Sequence, residues 1–272
     1  MKTFNCPVCS QALDKGEKTY TCPSGHSFDK AAKGYVNLLM SQKASAKRHG
    51  DDRVMVNARR DFLGEGWYEP LRKAVLEKIK QAFPVGGTLL DAGCGECWYT
   101  TYFYRELCTL GLEPNILGLD ISKNALEKAD RSAAIERAVA SVFNIPVAAS
   151  SCDAVVNIFA PLCASEYCRV LKSGGVLIRA VPLERHLWEL KAAVYDQPYE
   201  NEPEMYELEG FRSKEKSELK YNMQLRTNAD IINLFKMTPY YYKTSQHDFE
   251  KLRELENLDV SAEFGIAVYE KI

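Results

Sequence analysis

Four residues near the N-terminus have the types and the spacing of a metal site. They are Cys6, Cys9, Cys22 and His26, in the pattern C-x2-C-x12-C-x3-H. Two tight turns with this spacing can direct three thiolates and one imidazole at a single centre, a donor set that suits tetrahedral zinc. Four protein ligands leave no open coordination position, so the pattern predicts one structural ion. The alternatives are an iron centre and cysteines that bind no metal.

A glycine-rich segment further along the chain predicts a binding site for a cofactor. Residues 89–96 read LLDAGCGE, an apolar run that leads into glycines. Glycines at the carboxyl end of a strand let the backbone approach a ligand closely. Asp120 closes the next apolar run, 29 residues after Asp91, and a carboxylate there can accept both hydroxyls of a ribose. The segment is not the dinucleotide motif G-x-G-x-x-G, because Trp98 stands where the last glycine would be.

The surrounding sequence predicts the elements that must position these residues. Apolar runs alternate with helical periodicity between residues 88 and 181, which predicts a parallel sheet with right-handed crossovers. The predicted strands are 88–91, 116–120, 138–141, 154–158 and 176–181. The predicted helices are 98–110, 123–131 and 165–171, with one more before Pro84. Beyond them we predict antiparallel strands at 220–226 and 262–269 and a helix near 229–236.

Composition divides the chain into three regions. Residues 1–40 hold the Cys/His pattern, residues 41–52 are polar without periodicity, and residues 53–272 contain the alternating elements. We therefore predict a small zinc-ribbon-like domain, a linker and an α/β domain. A domain this short buries little core, so a bound metal would supply much of its folding free energy.

Charge is distributed unevenly along the chain. The net charge is -2, but residues 1–60 carry eleven Lys and Arg against five Asp and Glu, which leaves residues 61–272 with a charge of -8. A basic region on an acidic body predicts an anionic partner. An ordinary solvated surface is the simpler interpretation of the same pattern.

The remaining composition is that of a globular protein, with 46% apolar and 26% charged residues. No stretch approaches the roughly 18 uncharged apolar residues of a membrane span, and the first residues lack an apolar signal segment. The nine cysteines are an odd number, which disfavours a disulfide framework. We therefore expect a cytoplasmic protein without a membrane partner.

Four features in a fixed order resemble the class I S-adenosylmethionine-dependent methyltransferases. They are the D-x-G-x-G segment at 91–95, the acid Asp120, the loop 141–146 and the turn 171–175. The resemblance implies a Rossmann-like α/β fold with a mostly parallel sheet, and S-adenosylmethionine as the cofactor. It places Asp91 at the methionine end and the loop 141–146 beside the adenine. The cofactor-binding residues that it implies are Asp91, Gly93, Gly95, Asp120 and Asn144.

The chain as a whole resembles a narrower family, the bacterial 23S ribosomal RNA guanine-N1 methyltransferases. The matching segments are the two Cys/His turns and residues 28–29, 34–39, 58–63, 68–71, 185–191 and 237–239. The resemblance implies methyl transfer to N1 of a specific guanosine in a hairpin loop of 23S rRNA, an RNA-recognition role for the zinc domain, and a homodimer. It also implies cofactor contacts at Tyr68, Gly95, Glu96 and His186. One branch of the family contributes to macrolide resistance.

The segment after the fourth predicted strand is where a target base would enter. Residues 157–161 read NIFAP and follow the carboxyl end of that strand, where ligands bind in such sheets. We predict that Phe159 stacks on guanine and that Asn157 bonds the edge of the base. Both residues would equally serve as packing at the end of a strand. The sequence indicates no clear general base, and His186, Glu166 and solvent remain as acceptors for the N1 proton.

Two other functions fit parts of this pattern. The same catalytic core would serve a methyltransferase that acts on a small molecule such as a quinone or an antibiotic, but the zinc domain and the basic N-terminal region would then be unexplained. A non-enzymatic RNA-binding protein with a lapsed cofactor site is the second alternative. Its only support is Cys97, which stands where many relatives have glycine. We expect this side chain to pack at the start of the helix.

Overall fold

An eight-stranded, mostly parallel sheet organises the protein. The structure, a computed structural model, describes residues 4–40, 50–203 and 206–272. The strands in chain order are β1 (Asp14–Lys15), β2 (Thr19–Thr21), β3 (Ser27–Asp29), β4 (Tyr35–Asn37), β5 (Thr88–Ala92), β6 (Asn115–Asp120), β7 (Ile135–Val139), β8 (Cys152–Ile158), β9 (Leu171–Pro182), β10 (Phe211–Leu225) and β11 (Leu258–Lys271). The large sheet has the order β10-β11-β9-β8-β5-β6-β7-β4. Only the pairings of β11 with β9 and β10 are antiparallel, so the predicted α/β class is confirmed.

Helices connect the strands and cover the sheet. They are α1 (Arg53–Gly64), α2 (Glu69–Ala82), α3 (Trp98–Thr109), α4 (Lys123–Leu126), α5 (Ala164–Val170), α6 (Trp188–Val194), α7 (Asn228–Lys236) and α8 (Gln246–Arg253). Several begin at side chains that accept backbone N–H bonds, as Asp52 does for α1 and Ser122 for α4. None of the helices in the described ranges is long and apolar enough to cross a membrane.

Several predicted elements have different bounds in the structure. Strands β9, β10 and β11 begin at Leu171, Phe211 and Leu258, before the predicted 176, 220 and 262, so the predicted turn 171–175 lies within β9. Helix α4 ends at Leu126 rather than at 131, because Asp130 accepts bonds from the backbone and the hydroxyl of Ser132 at 2.8 and 2.7 Å, a local turn that competes with helix. Strand β7 begins at Ile135, three residues before the predicted 138. The prediction missed its first half because Glu136 and Arg137 are charged, yet both are buried.

The Cys/His segment is joined to the sheet through strand pairing and a shared core. Its strands β1 to β3 form a small antiparallel sheet, but β4 lies parallel to β7 at the edge of the large sheet. Phe4, Tyr20 and Val36 belong to the same buried cluster as Leu119 and Ala138 of the large sheet. The packing of this segment therefore continues directly into the packing of the sheet. Most of the predicted linker, residues 41–49, lies outside the described residues.

A buried carboxylate adds a polar link between the same two parts. Glu136 of β7 is 7% exposed and accepts hydrogen bonds from the Lys15 ammonium and the Tyr20 hydroxyl. Burying a carboxylate is costly unless it is paired and hydrogen-bonded. Because both partners come from the Cys/His segment, this segment stabilises the edge of the sheet as well as covering it.

Phe4→Ala should therefore destabilise the whole protein. Phe4 is fully buried in the shared cluster, and truncation of a core phenylalanine costs about 3–5 kcal/mol. Val8→Ala is the matched control, because Val8 is 50% exposed and surface changes stay within about 0.5 kcal/mol. Denaturant unfolding monitored on the central sheet measures both. Equal stability of the two variants would contradict a shared core.

Candidate cofactor site and metal centre

The glycine loop after β5 is held in shape by its neighbours. Gly93 and Gly95 have φ of 95° and 55°, in the region that favours glycine. A Cβ on Gly93 would lie 2.3 Å from the Cβ of Ala160. Gly93 therefore lets the loop after β8 approach the loop after β5. Gly95, which has no side chain, leaves room for the Arg59 guanidinium beside its backbone.

Asp120 fastens the end of β6 to this loop. One of its carboxylate oxygens accepts from the Gly95 N–H at 2.8 Å and the other from the Ser122 N–H at 2.7 Å. Burial raises the pKa of Asp120, and these two backbone bonds oppose that shift. Each carboxylate oxygen has a second lone pair, so Asp120 can hold the loop and still accept hydrogen bonds from a ligand.

Asp91 is the second acid of the site. It is 2% exposed and accepts a bond from the Thr100 hydroxyl at 2.5 Å. Burial raises its pKa to about 7, the Thr100 bond opposes the rise, and the charge of Asp120 adds to it. A cationic ligand group placed beside Asp91 would favour its ionised form.

Arg59 of α1 completes the charged side of the site. Its Nε donates to Glu96 Oε2 at 2.9 Å, and its Nη1 donates to Asp51. The other oxygen of Glu96, Oε1, is buried and has no partner among the described residues. Such an acceptor needs a hydrogen-bond donor, so it is available to a cofactor. Sequence reasoning included Arg59 only as part of a matching segment, and the adjacent Arg60 pairs with Asp61 at the surface.

An aromatic cluster forms around Tyr68 and His186. The Tyr68 hydroxyl is 3.4 Å from His186 Nε2, and the ring of Phe264 packs 5.1 Å from Tyr68 and 4.6 Å from His186. His186 Nδ1 accepts the Glu263 N–H at 3.1 Å, so its ring proton sits on Nε2. Burial, and then the charge of Lys191, lower the pKa of His186 to about 3. The imidazole is therefore neutral at physiological pH. The sequence singled out Tyr68 and His186 but gave no signal for Phe264.

The two residues predicted to meet a base lie after β8 in different environments. Phe159 is 44% exposed, has φ of 55°, and its ring lies 6.3 Å from Tyr68 and 5.6 Å from Phe264. Asn157 is fully buried, and its amide nitrogen donates to the Tyr167 hydroxyl at 3.0 Å. Asn157 Oδ1 has no partner within the described parts of the chain. Phe159 is thus open to a base, whereas Asn157 lies beneath the loop.

The loop 141–146 is tied down from two sides. Glu166 accepts the Ile145 N–H at 2.7 Å and pairs with Arg169. From the Cys/His segment, the Asn5 N–H donates to the Pro146 carbonyl at 2.7 Å. Asn144 is exposed on this loop, where it can meet a ligand. Glu166 is engaged in holding the loop.

Cys97, the departure from the glycine pattern, packs as predicted. It is fully buried beside Leu126 and Ala129 at the start of α3. Its φ of 61° is in the left-handed region, which costs a non-glycine residue of order 1 kcal/mol or more. The packed side chain offsets this cost, and the loop keeps its shape.

The four metal-ligating candidates converge on one point. Their ligand atoms all lie within 4.8 Å of one another. Cys9 Sγ is 3.5 Å from Cys22 Sγ, and His26 Nδ1 is 3.3 Å from Cys22 Sγ and 3.6 Å from Cys6 Sγ. Ligands at about 2.0–2.3 Å in a tetrahedron lie roughly 3.5–3.8 Å apart. The spacing and the three-thiolate, one-imidazole donor set fit a structural zinc ion.

Comparison with protein families finds both parts of the chain. A family described as "RlmA, N-terminal", a zinc ribbon, matches residues 4–47. A family described as "Methyltransferase domain" matches residues 90–179. The first match contains the metal centre, and the second contains the glycine loop, Asp120 and the segment after β8. The class I S-adenosylmethionine-dependent methyltransferase fold with an N-terminal zinc ribbon is thereby confirmed.

Individual relatives extend over more of the chain. A Bacillus subtilis (strain 168) protein named "Putative 23S rRNA (guanine-N(1)-)-methyltransferase YxjB" is 30% identical over 282 residues, which covers 97% of this chain and 96% of that protein. A Streptomyces fradiae protein named "23S rRNA (guanine(748)-N(1))-methyltransferase" is 32% identical over 198 residues, with coverage of 71% and 68%.

Asp91→Asn should remove a pH dependence of stability. Folding raises the Asp91 pKa from its usual value near 4 to about 7. Protonated Asp91 therefore stabilises the folded state below about pH 4, and this contribution is lost as the pH rises through about 7. The wild type should lose more free energy of unfolding than Asp91→Asn between about pH 5 and about pH 8. Denaturant titrations without cofactor measure this, and parallel profiles would contradict the shift.

Cys22→Ser should release the metal and lower the melting temperature of the whole protein. The metal centre organises the segment that shares its core with the large sheet. Loss of the metal should therefore destabilise the large sheet as well as the segment. Cys108→Ser is the matched control, because Cys108 is an exposed cysteine outside the cluster. Metal content by mass spectrometry and calorimetric melting measure both variants. Full zinc content in Cys22→Ser would refute the assignment of Cys22 as a ligand.

Proposed function

We propose that this chain, which belongs to the family of 23S rRNA (guanine-N1)-methyltransferases, transfers a methyl group from S-adenosylmethionine to N1 of a specific guanosine in a hairpin loop of 23S rRNA. The observation that carries this proposal is structural. A zinc-ribbon segment is built into the edge of a methyltransferase sheet and bonds directly to the loop 141–146 of the cofactor site. A relative named for this activity, which matches over 97% of this chain, supports it.

The residues around the glycine loop would hold the cofactor. When bound, S-adenosylmethionine supplies an electrophilic methyl group on a sulfonium. Asp120 offers lone pairs to ribose hydroxyls while it holds the loop. Glu96 Oε1 offers an acceptor, and Gly95 gives the backbone room. Tyr68 and His186 would close the opposite side, and Asn144 would lie beside the adenine.

Phe159 would receive the target base. Its half-exposed ring stands at the carboxyl end of the parallel strands, next to Tyr68 and Phe264. A base in a hairpin loop is unstacked at lower cost than a base in a duplex, and stacking on an aromatic ring repays part of that cost. Asn157 would support the loop from beneath through its bond to the Tyr167 hydroxyl, rather than bond the base.

No side chain in the described site is poised to take the N1 proton of guanine. His186 uses Nδ1 as an acceptor and keeps its proton on Nε2, so it serves as a hydrogen-bond donor. Glu166 is paired with Arg169. We therefore assign the proton to solvent, and the rate enhancement to positioning of the base and exclusion of water around it.

The proposal also assigns a role to each of the three regions of the chain. Residues 1–40 would recognise RNA and residues 53–272 would catalyse, joined by residues 41–52. Two chains would form a homodimer, with the two zinc segments on either side of the RNA. The protein would act in the cytoplasm, where its ribosomal substrate is made. The basic N-terminal region supports contact with phosphates and predicts salt-dependent binding.

The direct test is a methylation assay with isotopically labelled S-adenosylmethionine and unmodified 23S rRNA. Nuclease digestion and mass spectrometry then locate the product. The proposal predicts N1-methylguanosine at one hairpin loop. RNA that stays unlabelled while the protein binds the cofactor would overturn the RNA substrate and favour a small-molecule acceptor.

Phe159→Ala should lower kcat/KM for RNA by about 5- to 150-fold, because stacking of a base on an aromatic ring is worth about 1–3 kcal/mol. Affinity for S-adenosylmethionine should stay unchanged, since Phe159 faces the entrance. Phe159→Tyr keeps the ring and should retain activity. Steady-state kinetics and calorimetry measure these values. An alanine variant as active as the tyrosine variant would exclude stacking at this position.

A further inference from the structure

A basic groove separates the zinc-ribbon segment from the edge of the large sheet, outside the cofactor site. Its volume is about 550 Å³. The residues that line it come from the end of β1 and the turn after it, from the segment between β3 and β4, and from the segment 131–137 that leads into β7. Five of its side chains are cationic: Lys15, Lys18, Lys30, Arg131 and Arg137. Only two are acidic, Glu17 and Glu136. The groove is therefore positive.

The acids of the groove do not neutralise it. Glu136 already pairs with Lys15 and accepts a hydrogen bond from the Tyr20 hydroxyl. Among the lining residues, this leaves one acid, Glu17, and four cations. Lys18 and Lys30 form no ion pair with any residue in the described ranges, and Arg131 donates to the Ala32 carbonyl at 3.1 Å. The surplus charge of the groove thus lies on side chains that are available to a ligand.

Arg137 is the strongest indication of an anionic ligand. It is only 5% exposed, and one guanidinium nitrogen donates to the Asp130 carbonyl at 2.9 Å. Within the described chain, no carboxylate lies within ion-pairing distance of it, and its buried Nε has no hydrogen-bond acceptor. A buried guanidinium without an ion pair is costly, and phosphate is the anion whose geometry matches its planar set of donors.

The place of the groove relates it to the catalytic end of the sheet. It opens at the amino end of β7, whereas the cofactor lies at the carboxyl end. Strand β7 has five residues, so the two ends are about 17 Å apart. Phe159 follows β8, which β5 and β6 separate from β7, so the groove is also about 14 Å away across the sheet. A folded RNA that presents a loop to Phe159 would have to span both distances for the backbone of its stem to reach the groove. The groove is also larger than a single phosphate requires.

We propose that this groove binds phosphates of the RNA substrate's backbone, with Arg137 as its buried anchor and Lys18 and Lys30 as its outer contacts. The inference rests on the proposed function, because it takes RNA as the substrate. It adds a contact between the zinc-ribbon segment and the sheet that fixes the direction in which the RNA enters.

The test compares Lys18→Gln/Lys30→Gln with a matched double variant, Lys73→Gln/Lys80→Gln, whose lysines lie on α2 and pair with Glu69 and Glu77. Binding of in vitro transcribed, unmodified 23S rRNA is measured at several salt concentrations. Loss of two phosphate contacts should reduce the slope of log K against log salt by about 1.4–1.8. KM for RNA should rise, while kcat and the affinity for S-adenosylmethionine stay unchanged.

Arg137→Gln tests the anchor independently. Removal of an unpaired buried charge should leave the melting temperature without RNA unchanged or higher, whereas affinity for the rRNA should fall. A groove double variant that matches the α2 control in slope and KM would overturn the proposal, while N1-methylguanosine formation by the wild type would leave the proposed function intact. Wild-type protein that neither binds nor methylates the rRNA would overturn both.

Discussion

The buried carboxylate of Glu136 is the interaction on which the arrangement of the two parts depends. It lies on an inner strand, one position from the edge. Among the described residues, its partners are Lys15 and Tyr20 from the zinc-ribbon segment. Pairing of β4 with β7 fixes the same contact through the backbone. The segment that holds the metal is therefore part of the catalytic sheet, and its position relative to the cofactor loops is set by the fold.

This constraint extends to the cofactor site through a short series of bonds. Asn5, next to the first metal ligand, bonds the Pro146 carbonyl, and Glu166 and Arg169 hold the other side of the same loop. On the far side, Asp120 and Arg59 fix the glycine loop. The cofactor would thus meet a glycine loop and a loop 141–146 that are already tied to their neighbours, which limits the ordering cost of binding.

Most of the fold and of the candidate site could be predicted from local patterns in the sequence. The glycine loop, Asp120 and the Cys/His turns are short motifs whose spacing determines their geometry, and the alternation of apolar runs predicted the parallel sheet. Contacts between segments that are far apart in the sequence could not be predicted from local patterns. The charges of Glu136 and Arg137 hid the start of β7 from the sequence analysis, because the partners of Glu136, Lys15 and Tyr20, lie more than 100 positions earlier in the chain. The position of Phe264 beside His186 likewise depends on the pairing of β11 with β9.

The central claim is that the metal-binding segment and the cofactor site form one structural unit. Calorimetric titration with S-adenosylmethionine, before and after removal of zinc by a chelator, tests this most directly. The account predicts that the zinc-free protein binds the cofactor at least about tenfold more weakly, a loss of about 1.4 kcal/mol, and that added zinc restores the affinity. Equal affinity in the two states would show that the segment and the site are independent.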